Sequence, residues 1–487
     1  MEQRRLAPIL KVLGIVIIVF GISMLLPLIV SLAIEDNAQT AYDEAVGVTV
    51  CTGLVLWLFN NRDRNELKYR DGFLLVVLIW TILPLFAALP LLIYLPSLSF
   101  TDAYFEAVSG LTTTGATTLS GLDLLAPSIN LWRTQMHLIG GMGVIVLVTA
   151  ILPLLGVGGR QMFKAESPTP MKDEKLTPRM AETAKGLWLV YLLITLACFG
   201  AYWAAGMTWI EALTHAFSVM GLGGFSSHDA SFGYFNSVTM ETITMVFALI
   251  AGINFSTHFL VFRQRSLRPY RLDPEIRAFL FLVLGSCLGI ALFVWLKGVY
   301  AHFPEALRYA SFNTISVATS LGLATADFNA WPPFAGLWML LLSSVSSSAG
   351  STGGGIKMMR AILLYKEVSR EMRKLLHPRA EVPVKLGNTA VPNKIMYAVL
   401  AFLFIYVAAI VLLTFVLGAS GLDILTAFTA VVATINNTGP GLGQVGPATT
   451  YAVLTDFQTW VCTFSMLLGR LELFTLLVVL TPRFWRK

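Results

Sequence analysis

Charge is what this sequence has least of. Only 13% of its 487 residues are Asp, Glu, Lys or Arg, against 56% hydrophobic, and mean hydropathy is +0.72. A soluble chain of this length would need far more charge to cover its surface, so that class is excluded. Cysteine and histidine are scarce as well. Cys51, Cys198, Cys287 and Cys462 lie far apart within apolar stretches, and the six histidines are scattered. Neither set has metal-ligand or redox spacing. No Ser/His/Asp set, H-E-x-x-H motif or facing carboxylate pair occurs, which argues against an enzyme. "GLGQVG" at 441–446 follows no βαβ strand, and in "GSTGGGIK" at 350–357 Ile356 separates the glycines from Lys357. Both nucleotide motifs therefore fail.

What is present is long apolar runs: 9–34, 72–95, 130–157, 186–206, 237–262, 278–296, 331–365, 395–418 and 451–482, with a shorter one at 45–59. A helix needs about 20 apolar residues to cross the hydrocarbon core, so the runs predict ten crossings of an all-α polytopic membrane protein. Residues 9–34 are too long for a cleavable leader. The basic residues cluster at both termini and in the segments 60–71, 159–185, 263–277 and 357–394, which are alternate loops. The opposite loops carry only Arg133, Lys297 and Arg308. Both termini are therefore expected in the cytoplasm. The net charge of +6 reads as topology and contact with anionic lipid, with no nucleic acid implied.

One polar segment recurs. "AVSGLTTTGATTLSGL", 107–122, holds five threonines, two serines and three glycines between two apolar runs. Related strips follow "MTWIEALTHAF", "FPEALRYASF" and "SGLDILTAF". Each unit opens on an acid, Asp102, Glu211, Glu305 or Asp423, and Ser99, Thr208 and Ser420 stand three residues earlier as in a capping box. The aligned glycines are Gly115, Gly224, Gly322 and Gly439, with Gly223 an alternative in the second unit. From acid to glycine the spacing is 13, 13, 17 and 16. Four span–hairpin–span repeats follow, over 69–158, 159–262, 263–366 and 367–487, after a two-helix unit at 1–68. The apolar part of each hairpin is too short to cross, so it reads as a re-entrant half-helix with an extended return.

Backbone exposed at membrane depth is tolerated only where protein or a water-filled path satisfies it. Four strips meeting on a pseudo-fourfold axis would offer rings of carbonyls able to replace the water around a dehydrated cation. The candidate ion ligands are Thr112, Thr113, Thr114 and Gly115; Gly221, Leu222, Gly223 and Gly224; Thr319, Ser320 and Gly322; and Asn436, Asn437 and Gly439. The run "SSVSSSAGSTGGGIK", 343–357, should break its span, because each glycine costs a helix about 1 kcal/mol. Arg470 is read as the only basic residue deep inside a span, facing the pore or pairing with Glu472.

The chain resembles the Trk/Ktr/HKT superfamily of potassium transport proteins. "TTTGA" at 112–116, "GLGGF" at 221–225, "TSLGL" at 319–323, "NNTGPG" at 436–441, "IGGMG" at 139–143 and "GRLE" at 469–472 carry the resemblance. It implies K⁺ transport across a bacterial inner membrane, no cofactor, a homodimer, and a cytosolic TrkA-type nucleotide-binding (RCK) gating ring. It implies that Gly115, where a serine goes with Na⁺ transport, favours K⁺. It also implies that the loop holding Gly350, Ser351, Thr352, Gly353, Gly354, Gly355 and Lys357 obstructs the pathway, with Arg470 projecting below the filter. A coupled H⁺ or Na⁺ symporter is the alternative; such proteins usually carry proton-exchanging intramembrane acids and inverted repeats. Here Glu241, Asp456 and Glu472 are isolated, mostly near span ends, and the four repeats run parallel, which favours a channel-like pore.

Overall fold

A computed structural model describes residues 3–61, 67–146, 180–386 and 389–486. Apolar runs fold into helices because lipid offers no partner for a backbone amide. Among the described residues six helices are long and apolar enough to cross a bilayer: Leu6–Ile34, Gln39–Asn60, Arg70–Tyr94, Ala184–Ala204, Pro274–Leu296 and Asn393–Ala419. Two more qualify as bent pairs, Val238–Ala251 with Phe255–Gln264 (92°) and Asp456–Arg470 with Phe474–Leu480 (114°).

The ten expected crossings are thus modified. The run at 45–59 is a full helix extending outward through Asp43 and Glu44. The run at 130–157 is a helix over Pro127–Val146, and its remainder lies outside the described residues. The run at 331–365 splits into Pro333–Val345 and Met358–Leu376, as its glycines predict. Phe281, Phe404 and Phe415 point outward, 84%, 74% and 70% exposed, from helices that lipid would surround. One departure from an all-α fold is the antiparallel pair Lys385–Leu386 and Thr389–Ala390, where Val384, Thr389 and Val391 favour extended backbone.

The N-terminal helices are bolted to the rest by Asp36. Its carboxylate accepts from Ser128 N (2.9 Å) and Ser31 Oγ (2.6 Å), while Tyr42 OH donates to Ser128 O (2.8 Å).

Four short helices lie inside the bundle: Phe100–Leu111, Trp209–Gly221, Phe303–Ala318 and Ile424–Ile435. Their C-terminal halves are buried on every side. Ser99 and Thr208 cap the first two as expected, and Thr208 forms a full capping box with Glu211. The fourth is different. Ser420 ends the preceding helix, and Asp423 itself is the cap, accepting from Thr426 N at 3.0 Å. This removes the irregular spacing of the fourth unit. Ser99 to Gly115, Thr208 to Gly224 and Asp423 to Gly439 each span 16 residues. His302 to Gly322 spans 20, because the third helix has 16 residues where the first has 12. Four residues are about one turn, so the same face is kept.

Candidate functional site

All four short helices end in one backbone arrangement. The next-to-last bonds are Thr113 N to Gly110 O and Thr114 N to Ser109 O in the first (3.1 and 2.8 Å). The same i−3 and i−5 pair recurs at Leu222 and Gly223, at Ser320 and Leu321, and at Asn437 and Thr438. This is a Schellman ending, whose left-handed residue is usually glycine. Here it is Thr113, Leu222, Ser320 and Asn437, with φ of 54°, 52°, 65° and 51°. Each costs roughly 1–2 kcal/mol in that conformation.

Glycine is kept for the position two residues on. Gly115, Gly224, Gly322 and Gly439 have φ of 77°, 83°, 82° and 92°. A Cβ on Gly115 would stand 1.9 Å from Gly223 O; on Gly224, 2.2 Å from Leu321 O; on Gly322, 2.1 Å from Thr438 O; on Gly439, 2.7 Å from Thr114 O. The contacts run from first strip to second, third, fourth and back to first, so the four glycines close a ring. They also choose Gly224 over Gly223, whose own missing side chain makes room for the His137 ring (2.1 Å to Cγ). Gly221 likewise abuts His137 O.

Around the ring Thr112, Thr114, Thr319 and Asn436 are fully buried. Thr112 and Thr114 share a hydroxyl bond of 2.7 Å, Asn437 Nδ2 donates to Thr114 Oγ1 (2.9 Å), and Tyr451 OH donates to Gly439 O (2.8 Å). Thr113 Oγ1, Ser320 Oγ and Thr438 Oγ1 are buried with no hydrogen-bond partner among the described residues. On the side away from the helix ends, all four glycines line one cavity, together with Thr117, His228 and Asp229. At its rim His228 Nδ1 lies 2.5 Å from Asp123, and this hydrogen bond holds the Asp123 carboxyl below its usual range.

The broken span packs against the other side of the ring. Gly353 approaches Thr319 O and Gly354 approaches Asn436 O, at 3.0 and 2.1 Å from an added Cβ. Thr352 Oγ1 donates to Met220 O (3.2 Å). Gly350 O accepts from Phe255 N, Ser351 Oγ donates to Ser348 O, and Gly355 backs onto Ser343 O and Ser344 O. Lys357 is buried with a left-handed φ of 73°. Arg470 holds the middle of this loop: Nη1 donates to Thr352 O (2.9 Å) and Nη2 to Gly140 O (2.8 Å). The alternative pairing of Arg470 with Glu472 does not form. Glu472 instead bonds Arg360 at 2.7 Å: it lies past the end of the helix Asp456–Arg470, in the left-handed break (φ 52°) before Phe474–Leu480.

Glu275, Arg133 and its partner Glu106 escaped the sequence. Glu275 Oε1 accepts from Ala349 N (2.8 Å) and Met359 N (3.1 Å), clamping both ends of the loop. In the sequence it is an ordinary first-turn acid after the Asp273 cap. Arg133 belongs to no outer loop: it is fully buried in the helix Pro127–Val146, paired with Glu106 at 2.6 Å. Arg470 is therefore not the only buried base. Only the Asn-Leu-Trp-Arg run at the start of that span could have hinted at it.

Apolar helices around a closed ring of glycines and carbonyls define a helical membrane transport protein. The family model for TrkH cation transport proteins matches residues 39–487, and the chain belongs to that family. It is 45% identical over 480 residues to the Trk system potassium uptake protein TrkH of Salmonella typhimurium, covering 98% of this chain and 99% of that one. It is 37% identical to the Trk system potassium uptake protein TrkG of Escherichia coli, covering 97% of each. The crystal structure of the potassium transporter TrkH from Vibrio parahaemolyticus superimposes with a TM-score of 0.90 at 43% identity, over the whole of both chains. The family transports ions and is not a family of enzymes.

Proposed function

We propose that this chain takes up K⁺ through a channel-like pore whose selectivity filter is the four-strip ring. The observation that carries the reading is the cyclic contact of each filter glycine with the next strip's carbonyl. Four equal backbones turn successive carbonyls toward one axis, where they replace the water of a dehydrated monovalent cation. The unpartnered hydroxyls of Thr113 and Ser320 add polar lining. Half-helix C-termini carry partial negative charge toward the same space. The relatives named as potassium uptake proteins support K⁺ as the ion.

In this reading residues 69–158, 159–262, 263–366 and 367–487 are four re-entrant repeats about a pseudo-fourfold axis, in a bacterial inner membrane with both termini cytoplasmic. Residues 346–355 close the path on the inner side of the ring, with Arg470 as their latch. Opening is driven from a TrkA-type cytosolic nucleotide-binding ring, since this chain contains no nucleotide motif of its own, and the working unit is a homodimer. Flux of K⁺, Rb⁺, Na⁺ and Li⁺ into proteoliposomes tests the proposal. Preference for K⁺ and Rb⁺ is expected, and equal flux of all four ions refutes it.

A further inference from the structure

Behind the ring, the residue nine before each glycine is Glu106, His215, Asn313 or Ala430. In the three polar cases the side chain reaches the returning strand of its own strip. Glu106 accepts from Thr117 Oγ1 (2.9 Å) and Thr118 N (3.3 Å). His215 Nε2 bonds Ser226 Oγ at 3.1 Å. Asn313 accepts from Thr325 N (3.3 Å) and donates to Thr325 Oγ1 (3.1 Å). In the fourth, neighbouring Thr429 takes over, accepting from Leu442 N at 3.0 Å.

The first of these supports is charged and reaches further. Glu106 and Arg133 are both fully buried. Arg133 Nη1 also donates to Ser226 O in the second strip (3.1 Å), and its guanidinium lies 4.3 Å from the centre of the Phe225 ring. Taking two such charges out of water costs several kcal/mol each, and a well-packed apolar pair is often equally stable. Stability alone is a poor reason for the pair; registration of two adjacent strips is a better one.

We propose that Glu106 and Arg133 are specificity-determining positioning residues, a strut that fixes the spacing of the first and second strips and so the preference for K⁺ over Na⁺. The inference rests on the ring being the filter. A smaller ion is well coordinated only if the carbonyls close in, and a strut that holds two strips apart opposes that movement.

The test compares K⁺/Na⁺ flux ratios in proteoliposomes for wild type, Glu106→Gln/Arg133→Met, the control Glu241→Gln/Arg308→Met, and Gly115→Ser. The first double variant removes both charges, so no orphan remains, and melting temperature and gel filtration report folding. Its ratio should fall by about tenfold, equivalent to about 1.4 kcal/mol of differential ion binding. The control removes an ion pair that lies away from the strips (2.6 Å) and should keep the wild-type ratio. A wild-type ratio in the folded Glu106/Arg133 variant, or an equal fall in the control, overturns the proposal. If Gly115→Ser lowers the ratio while the Glu106/Arg133 variant does not, the strut fails and the filter stands. If Gly115→Ser also leaves it unchanged, the filter reading itself fails. Should the double variant not fold, Arg133→Lys keeps the charge but loses the fork spanning Glu106 and Ser226. A lowered ratio then supports the strut, and a wild-type ratio overturns it.

Discussion

Two stretches of this molecule have nearly the same composition and opposite constructions. Residues 107–122 and 343–357 are both rich in Gly, Ser and Thr, and both interrupt apolar helices. The first is one of four copies, each ending its helix with the same pair of backbone bonds and each wedged against the next. The second occurs once in the sequence; two backbone bonds tie it to Gly252 and Phe255, and its charged anchors are single side chains from elsewhere: Arg470 at Thr352 O, Glu275 at Ala349 N and Met359 N. A ring whose members brace one another cannot yield at one point without disturbing all four. A loop held by a few charged hydrogen bonds can be released by losing them. In the proposed reading small polar residues thus serve a fixed element and a movable one, and the difference lies in what holds them.

The largest effect that could break this contrast belongs to the ring. Gly115→Ser places a side chain against Gly223 O at a φ of 77°, and should cost roughly 2–4 kcal/mol and most of the K⁺/Na⁺ discrimination. Ion flux ratios and thermal melting on one preparation check this; an unchanged ratio removes Gly115 from the filter. Next is Arg470→Ala. Loss of the bonds to Thr352 O and Gly140 O should raise K⁺ flux severalfold, with Arg470→Lys intermediate, because Lys keeps the charge without the fork. A loss of melting temperature with no gain in flux per folded protein would make Arg470 merely structural. Glu275→Gln should act in the same direction but more weakly, since the amide oxygen can still accept from Ala349 N and Met359 N, without charge assistance. Its readout is basal flux at unchanged selectivity.

The smallest effect separates two readings of the fourth helix. Asp423→Ala should cost about 1 kcal/mol and Ser420→Ala clearly less, because Asp423 is the cap. Thermal melting decides it, and equal losses would restore the capping box first expected there. The bond from Thr426 N holds the Asp423 carboxyl below its usual range, so its stabilisation is present above the unfolded pKa of about 3.9 and fades as pH falls through the lowered value.

Much of this was legible in the residues. The long apolar runs, the four strips, the glycines and the break at 343–357 follow from hydropathy, repetition and helix propensity, which are local properties. Cap identity was only half legible: Ser-x-x-Asp around 420 fits a capping box, but the preceding helix runs on through Ala419 and leaves Asp423 to do the capping. The charged partners were not legible. Glu106 and Arg133 are 27 residues apart, Ala349 and Glu275 are 74 apart, and Arg470 meets Thr352 across 118. Nothing in spacing or period joins such residues. Arg133 was misplaced for a physical reason: charge counting assigns every base to water, and a base buried against a carboxylate looks the same in sequence.

The central claim is that selection and closure reside in different elements, and it is tested most directly by removing part of the loop. A variant lacking part of residues 346–355, reconstituted alone in proteoliposomes, should show raised basal K⁺ flux with a K⁺/Na⁺ flux ratio equal to that of wild type. If flux stays at the wild-type level in a folded protein, or rises only as the ratio collapses, the loop is not a separate gate and the division between the two elements is contradicted.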